Sequence, residues 1–251
     1  PENILAQVAK TAGSLNLAHC GCGDMYSGIL VNSLQNLPSI TRLNLSENRL
    51  TSKSLKMSSV GLPCWIVDIE LANNRLGYAS IRLWKQYFKN TRNITRLSIR
   101  NNRISDNRGA KMICAFESLP HLKYLNMSKN GLGNKSAVAL SSLLSKSVCL
   151  QHLYLSWNYF HGSDSQVLAN GLSSNMTLVS LDLSWNNLGG CFIGEEEVNE
   201  FYLLAHSIAR HKSLTHLDIS SNELSVDECN KLGSYLSQNR SIYGIHIDGN
   251  R

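Results

Sequence analysis

The chain has 251 residues, 43% of them hydrophobic, and 24 Lys+Arg against 18 Asp+Glu give a formal charge of +6; that apolar content excludes wholesale disorder. Charged residues are 17%, too few for the solvated faces of a coiled coil, and no apolar run approaches the ~18 residues that a membrane-spanning helix needs. Leu, Ser and Asn together supply roughly 98 positions, a bias that asks for a repeat search before anything else.

A pattern L-x-L-x-x-N-x-L recurs along the chain. It opens at Leu15-Asn16-Leu17, where Cys20 stands in place of the Asn. It continues through Leu43-Asn44-Leu45 with Asn48, Ile69-Glu70-Leu71 with Asn74, Leu97-Ser98-Ile99 with Asn102, and Leu125-Asn126-Met127 with Asn130. Leu153-Tyr154-Leu155 with Asn158, Leu181-Asp182-Leu183 with Asn186, Leu217-Asp218-Ile219 with Asn222, and Ile245-His246-Ile247 with Asn250 complete it. The steps from Cys20 onward are 28, 26, 28, 28, 28, 28, 36 and 28 residues.

Alternation in L-x-L puts two apolar side chains on one face of a short strand. The Asn turns the chain inward, where its amide can satisfy main-chain groups that no neighbouring strand reaches. Cys20 is expected to fill that slot as a small buried residue. A helix follows in most repeats: helical spacing joins Met112, Ile113 and Phe116; Ala137, Leu140, Leu143 and Leu144; and Val198, Phe201, Leu204 and Ile208. Ser225 followed by Glu228 is a capping box that opens a helix carrying Cys229, Leu232 and Leu236. One strand and one helix cannot bury both faces alone, so neighbouring repeats must stack. Strands stack at about 4.8 Å and helices need about 8–10 Å, so the array should bend with its strands inside.

Three places depart from the pattern. The 26-residue step contains Gly61-Leu62-Pro63 and predicts a short or irregular helix. The 36-residue step inserts a loop at residues 189–199, around Gly189-Gly190-Cys191-Phe192-Ile193-Gly194 and Glu195-Glu196-Glu197. At Asn250-Arg251 the chain stops just after a strand, so a flanking domain or partner is expected to cap that end. The start at Pro1, without Met, suggests a fragment of something longer. Seven scattered cysteines, clustered at neither end, point to a reducing compartment and a cytoplasmic location.

The nine L-x-L-x-x-N-x-L copies at a 28-residue step resemble the ribonuclease-inhibitor-like class of leucine-rich repeat proteins. The resemblance implies an α/β leucine-rich repeat solenoid, a curved horseshoe of about nine repeats in a single domain. A parallel β-sheet would line its concave face and helices its convex face. Members of that class act as enzyme inhibitors, GTPase-activating proteins, innate-immune sensors and cytoskeletal scaffolds, so the fold alone does not assign a role.

Function is therefore sought in the outward columns, whose identity the fold does not fix. Trp157 and Trp185 occupy the position before the consensus Asn in adjacent repeats, alongside Lys129 in the same column, with Tyr154 and Tyr124 on the strands. Neighbouring exposed aromatics are the material of interface hot spots; the competing expectation is that both indoles pack down on neighbouring strands. A basic ladder of Arg49, Arg75 and Arg103 follows the consensus Asn in three consecutive repeats, with Arg42, Arg96 and Arg100 on the same half. Asp182, Asp218 and Asp248, with His216 and His246 nearby, mark the other half. The candidate surface thus looks basic toward one end and acidic toward the other, suited to steering a partner of complementary charge.

Chemistry is sparse by contrast. Phosphate-loop, H-E-x-x-H, G-x-S-x-G and calcium-loop patterns are all missing. His19-Cys20-Gly21-Cys22 lacks a second ligand pair at zinc spacing, so no metal and no cofactor are expected. Nor is a small-molecule substrate or membrane insertion. Nucleic acid is not the expected partner, because the charge is mild and the Asp column would repel phosphate. The leading expectation is a non-enzymatic scaffold that binds another protein through its concave face and strand-end loops. The resemblance leaves three alternatives: a Ran-activator-like regulator of a small GTPase, a ligand-sensing region of an intracellular immune or signalling receptor, and a component of a cilium or cytoskeletal assembly.

Overall fold

The computed structural model describes residues 13–57, 60–189 and 199–251. They fall into two compact units, Pro1–Ile104 with Ser118–Met127, and Ser105–Glu117 with Ser128–Arg251.

The first unit holds five three-residue strands, β1 (Ser14–Asn16), β2 (Arg42–Asn44), β3 (Asp68–Glu70), β4 (Arg96–Ser98) and β5 (Tyr124–Asn126), paired in parallel in chain order. The centre of each strand is a consensus leucine or isoleucine, and Leu15, Leu43, Ile69, Leu97 and Leu125 stack in register and are buried. Helices α1 (Gly23–Ser33), α2 (Ser52–Met57) and α3 (Ile81–Tyr87) fill the returns. As the short step predicts, α2 has only six residues. Trp84, Tyr87 and Phe88 form the aromatic core under α3, with Trp84 and Phe88 stacked at 5.7 Å.

The second unit begins with α4 (Asp106–Phe116) and α5 (Asn134–Lys146). Then α6 (Ser165–Ser174), α7 (Glu200–Arg210) and α8 (Val226–Leu236) alternate with β6 (His152–Tyr154), β7 (Ser180–Asp182), β8 (His216–Asp218) and β9 (Gly244–His246). These four strands again pair in parallel, neighbour to neighbour. Ile113, Phe116, Leu140, Phe201, Leu204, Ile208 and Leu232 are buried on the apolar stripes of their helices. The Ser225–Glu228 capping box forms as expected: Ser225 Oγ accepts the Glu228 N–H at 3.2 Å, and Glu228 Oε2 accepts the Ser225 N–H at 2.8 Å. Val198 and the inserted residues 190–198 lie outside the described residues.

Both units are stitched by the consensus Asn. Asn74 Nδ2 donates to the Leu45 and Leu71 carbonyls at 3.0 and 2.9 Å, while its Oδ1 accepts the N–H groups of Asn48 and Leu50 at 3.1 and 2.9 Å. Asn158 and Asn222 repeat this in the second unit, and Asn250 Oδ1 accepts from Asn222 and Leu224. A buried amide thus closes the main-chain groups that the turn leaves open, which is why the slot admits few substitutes. Cys20 corrects the sequence expectation: it is exposed, and its thiol reaches only the Ala18 carbonyl at 3.5 Å. A thiol is a weak donor with no amide carbonyl, so it cannot make the contacts that bury Asn here.

The turn has a second requirement. The residue before each consensus Asn is left-handed: Glu47, Asn73, Asn101, Lys129, Trp157, Trp185 and Ser221 have φ between 51° and 58°. At these positions the side chains are exposed or half-exposed at the end of the strand.

Candidate functional site on the strand-end loops

In the second unit this geometry assembles an aromatic pair. Trp157 donates its backbone N–H to the Ser184 carbonyl at 3.0 Å and Trp185 to Ser220 at 2.9 Å, fixing both residues at the same register. Their rings stack with centroids 4.1 Å apart and an interplanar angle of 9°. Trp157 is 44% exposed and Trp185 48%, so the indoles neither insert between strands nor bury. Lys129 Nζ lies 5.0 Å from the Trp157 ring centroid, a cation–π contact.

Beside the pair lies a cleft of about 720 Å3, to which Tyr159, His161, Asn187 and Glu223 also contribute. Tyr159 is 67% exposed. These residues were not singled out from the sequence, although Tyr159, Asn187 and Glu223 occupy the column that follows the consensus Asn, the one that carries the Arg ladder elsewhere. On the strands, Tyr154 sits in register with Asp182, Asp182 with Asp218, and Asp218 with His246. His216 and His246 approach at 5.0 Å, both exposed. Gly244 permits this, since a Cβ there would overlap the His216 imidazole.

The acidic column is also bonded into local turns. Asp182 Oδ1 accepts from the N–H and Oγ of Ser184 at 2.9 and 2.6 Å, and Asp218 does the same with Ser220 at 3.0 and 2.6 Å. Asn44 makes the same pair of bonds to Ser46. Position two of the strand is therefore a turn-forming acceptor first and a charge second.

In the first unit, Arg42, Asp68, Arg96 and Tyr124 lie in one row across β2 to β5. Arg96 is engaged twice: its Nε stands 3.7 Å from Asp68, and its guanidinium lies 3.5 Å over the Tyr124 ring. Burial pushes the Asp68 carboxyl above its ordinary pKa despite the opposing pull of Arg96 and Arg42. Positive and negative charges thus alternate along the row. Arg100 is half-buried two positions beyond β4. Arg49, Arg75 and Arg103 stand exposed around a polar hollow that also holds Glu47, Asn73 and Asn101. Asn101 donates to Asn73 at 2.8 Å and Asn73 to Glu47 at 3.2 Å, a rail of side chains beside the guanidiniums.

Among the described residues, no group of three or more His, Cys, Asp or Glu could hold a metal ion. No helix among them is long and apolar enough to cross a membrane.

The family descriptions Leucine Rich repeat and Leucine Rich Repeat match residues 36–57, 118–141, 174–190 and 210–227, and residues 149–171. Ribonuclease inhibitor from Sus scrofa is 26% identical over 141 residues, covering 54% of this chain. The chain spans only about a third of that relative's length, at 31%. Among solved structures, internalin C2 from Listeria monocytogenes matches 86% of this chain and 74% of its own, at 18% identity and a TM-score of 0.56, a likeness of fold. The chain carries leucine-rich repeats, and its strand–Asn–helix units are similar to those of the ribonuclease-inhibitor-like class.

Proposed function

We propose that this chain is a non-enzymatic scaffold that binds a partner protein through its strand face and strand-end loops, with Trp157 and Trp185 as the anchor. The observation that carries this reading is the stacked, half-exposed indole pair beside an open cleft. Large rigid aromatics that stay in water in the free protein gain most when a partner desolvates them. The turn requires a left-handed residue at each position, and a bulky side chain is the costly choice there, where Asn or Ser serves in other repeats. Lys129 and Glu223 supply a charged rim of both signs, which fixes orientation. The six described cysteines are all unpaired, in keeping with a reducing cytoplasmic setting.

The test is comparative capture. The chain and a Trp157→Ala/Trp185→Ala variant, each verified as folded by circular dichroism, serve as bait against lysate of the native source. A partner retained by the first and lost by the second supports the reading. Equal recovery by both overturns the aromatic anchor. GTP turnover by a panel of small GTPases, measured with and without the chain, should not accelerate; acceleration would replace the scaffold with a catalytic regulator.

A further inference from the structure

A different concavity lies at the C-terminal ends of α7 and α8. It is an open cleft of about 630 Å3 whose lining includes Arg210, Lys212 and Arg240 together with His206 and His211, and no carboxylate. The three cations are exposed, and none forms a salt bridge among the described residues. They come from two consecutive repeats and converge on one hollow, an arrangement that raises the local anion concentration.

A helix C-terminus ordinarily repels anions through its open carbonyls. Here two of the carbonyls at the end of α7 are occupied. Ala209 O accepts from Asn239 Nδ2 at 2.7 Å, and His211 O accepts from Ser241 Oγ at 2.8 Å. What remains presented to the cleft is positive charge, with the half-buried Tyr235 ring, 5.4 Å from His206, as its flat wall.

His211 is the second, independent observation. The neighbouring repeats place Asn175 and Asn239 at its position, and each uses both ends of its amide. Asn175 Oδ1 accepts the Leu178 N–H at 2.9 Å while its Nδ2 donates to Leu144 O at 2.9 Å. Asn239 does the same with Ile242 and Ala209, both at 2.7 Å. His211 reproduces half of this: Nδ1 accepts the Leu214 N–H at 3.1 Å, which places the ring proton on Nε2. That Nε2 is buried without a hydrogen-bond partner, in a residue only 5% exposed that lines the cleft. An unmet buried donor is unfavourable; Nε2 is closed to solvent here, so an anionic oxygen in the cleft would become its acceptor once the imidazole turned outward.

We propose that this cleft binds a phosphorylated ligand bearing two phosphoryl groups, clamped by Arg210, Lys212 and Arg240 above His211. Three cations match the charge of a diphosphate, and guanidiniums suit its planar oxygen pairs. The ligand is either a free small molecule or a lipid headgroup of the same chemistry, and it is independent of the partner-binding surface.

Isothermal titration of the full chain with inorganic pyrophosphate at physiological salt tests this. Saturable one-site binding is expected, weakened at least about tenfold in Arg210→Ala/Arg240→Ala. His211→Asn restores the amide of the neighbouring repeats, so it should fold normally and still bind more weakly. Flotation with phosphatidylcholine vesicles, with and without a bisphosphorylated phosphoinositide, separates the sources: retention that pyrophosphate displaces identifies a headgroup, and absence of retention beside a positive titration identifies a free ligand. No saturable binding to either probe, or equal affinity in the double variant, overturns the proposal.

Discussion

Trp157 and Trp185 lie ring upon ring, 4.1 Å apart, each projecting from a left-handed residue at φ 58° and 54°. The stack recovers about 0.5–1.5 kcal/mol, against roughly 1–3 kcal/mol for each bulky residue held in that backbone region. Asn tolerates the conformation well, as Asn73 and Asn101 do at the same position in the first unit. Replacing both indoles by Asn should therefore leave the melting temperature unchanged or raise it. A fall of more than about 4 °C in a thermal scan would mean that the pair serves the fold.

Asp106 reaches from α4 to the start of α5. The N-cap of α5 is Gly133, which has no side chain to cap with, and Asp106 replaces it: Oδ1 accepts the N–H groups of Gly133 and Ser136 at 2.9 and 2.8 Å, and Oδ2 accepts that of Lys135 at 3.0 Å. Burial pushes this carboxyl up, but the bonds from Ser136, Gly133 and Lys135 outweigh it and hold the pKa below the ordinary value. A depressed carboxylate stabilises the fold above its unfolded pKa of about 4, and that contribution fades as pH falls through the lower folded value. Asp106→Ala should cost about 1–2 kcal/mol at neutral pH and flatten the acid limb of urea-unfolding stability. An unchanged acid limb would remove the capping role.

Asn74 joins two repeats through five contacts, to Leu45, Leu71, Ala72, Asn48 and Leu50. Asn74→Ala leaves buried main-chain groups unmet, and about 3 kcal/mol should be lost in denaturant unfolding. Asn73→Ala, next to it on the outer surface, should cost only about 1 kcal/mol through its left-handed backbone. Equal losses would show that the buried amide is not what binds repeat to repeat.

His211 makes stability depend on pH in a second range. Burial lowers its pKa from the ordinary 6.5. The unfolded chain then binds the proton more readily than the folded one, so this contribution is complete above pH 6.5 and declines as pH falls toward the lower folded value. His211→Asn should remove that decline while preserving the Leu214 contact. Chemical denaturation at pH 7.5 and 5.5 provides the comparison, and an identical decline in both proteins would contradict it.

The repeats were legible because stacking demands them. Every buried strand centre must be apolar and every turn after the first closes on an Asn amide, so Leu43, Ile69 and Asn74 announce themselves by spacing. The Trp pair was legible for the same reason: a fixed register puts Trp157 and Trp185 side by side. What spacing does not reveal is how an outward residue spends its hydrogen bonds. Asp182 and Asp218 look like surface charge but close turns with Ser184 and Ser220. Arg96 looks like part of a free basic patch but is taken by Asp68 and Tyr124. Tyr159 was passed over because its column showed a pattern only where Arg fills it. His211 stands in a slot that its neighbours give to Asn, and only the hydrogen bonds around it reveal the missing acceptor.

Acrylamide quenching of tryptophan fluorescence, with the captured partner present and absent, tests the central claim most directly. Trp84 is 2% exposed and serves as the protected reference, while Trp157 and Trp185 are open to the quencher in the free chain. Binding should shield these two indoles and lower the quenching constant toward that of a Trp157→Phe/Trp185→Phe variant. A constant that is the same in the free and bound protein would contradict a partner seated on the aromatic pair.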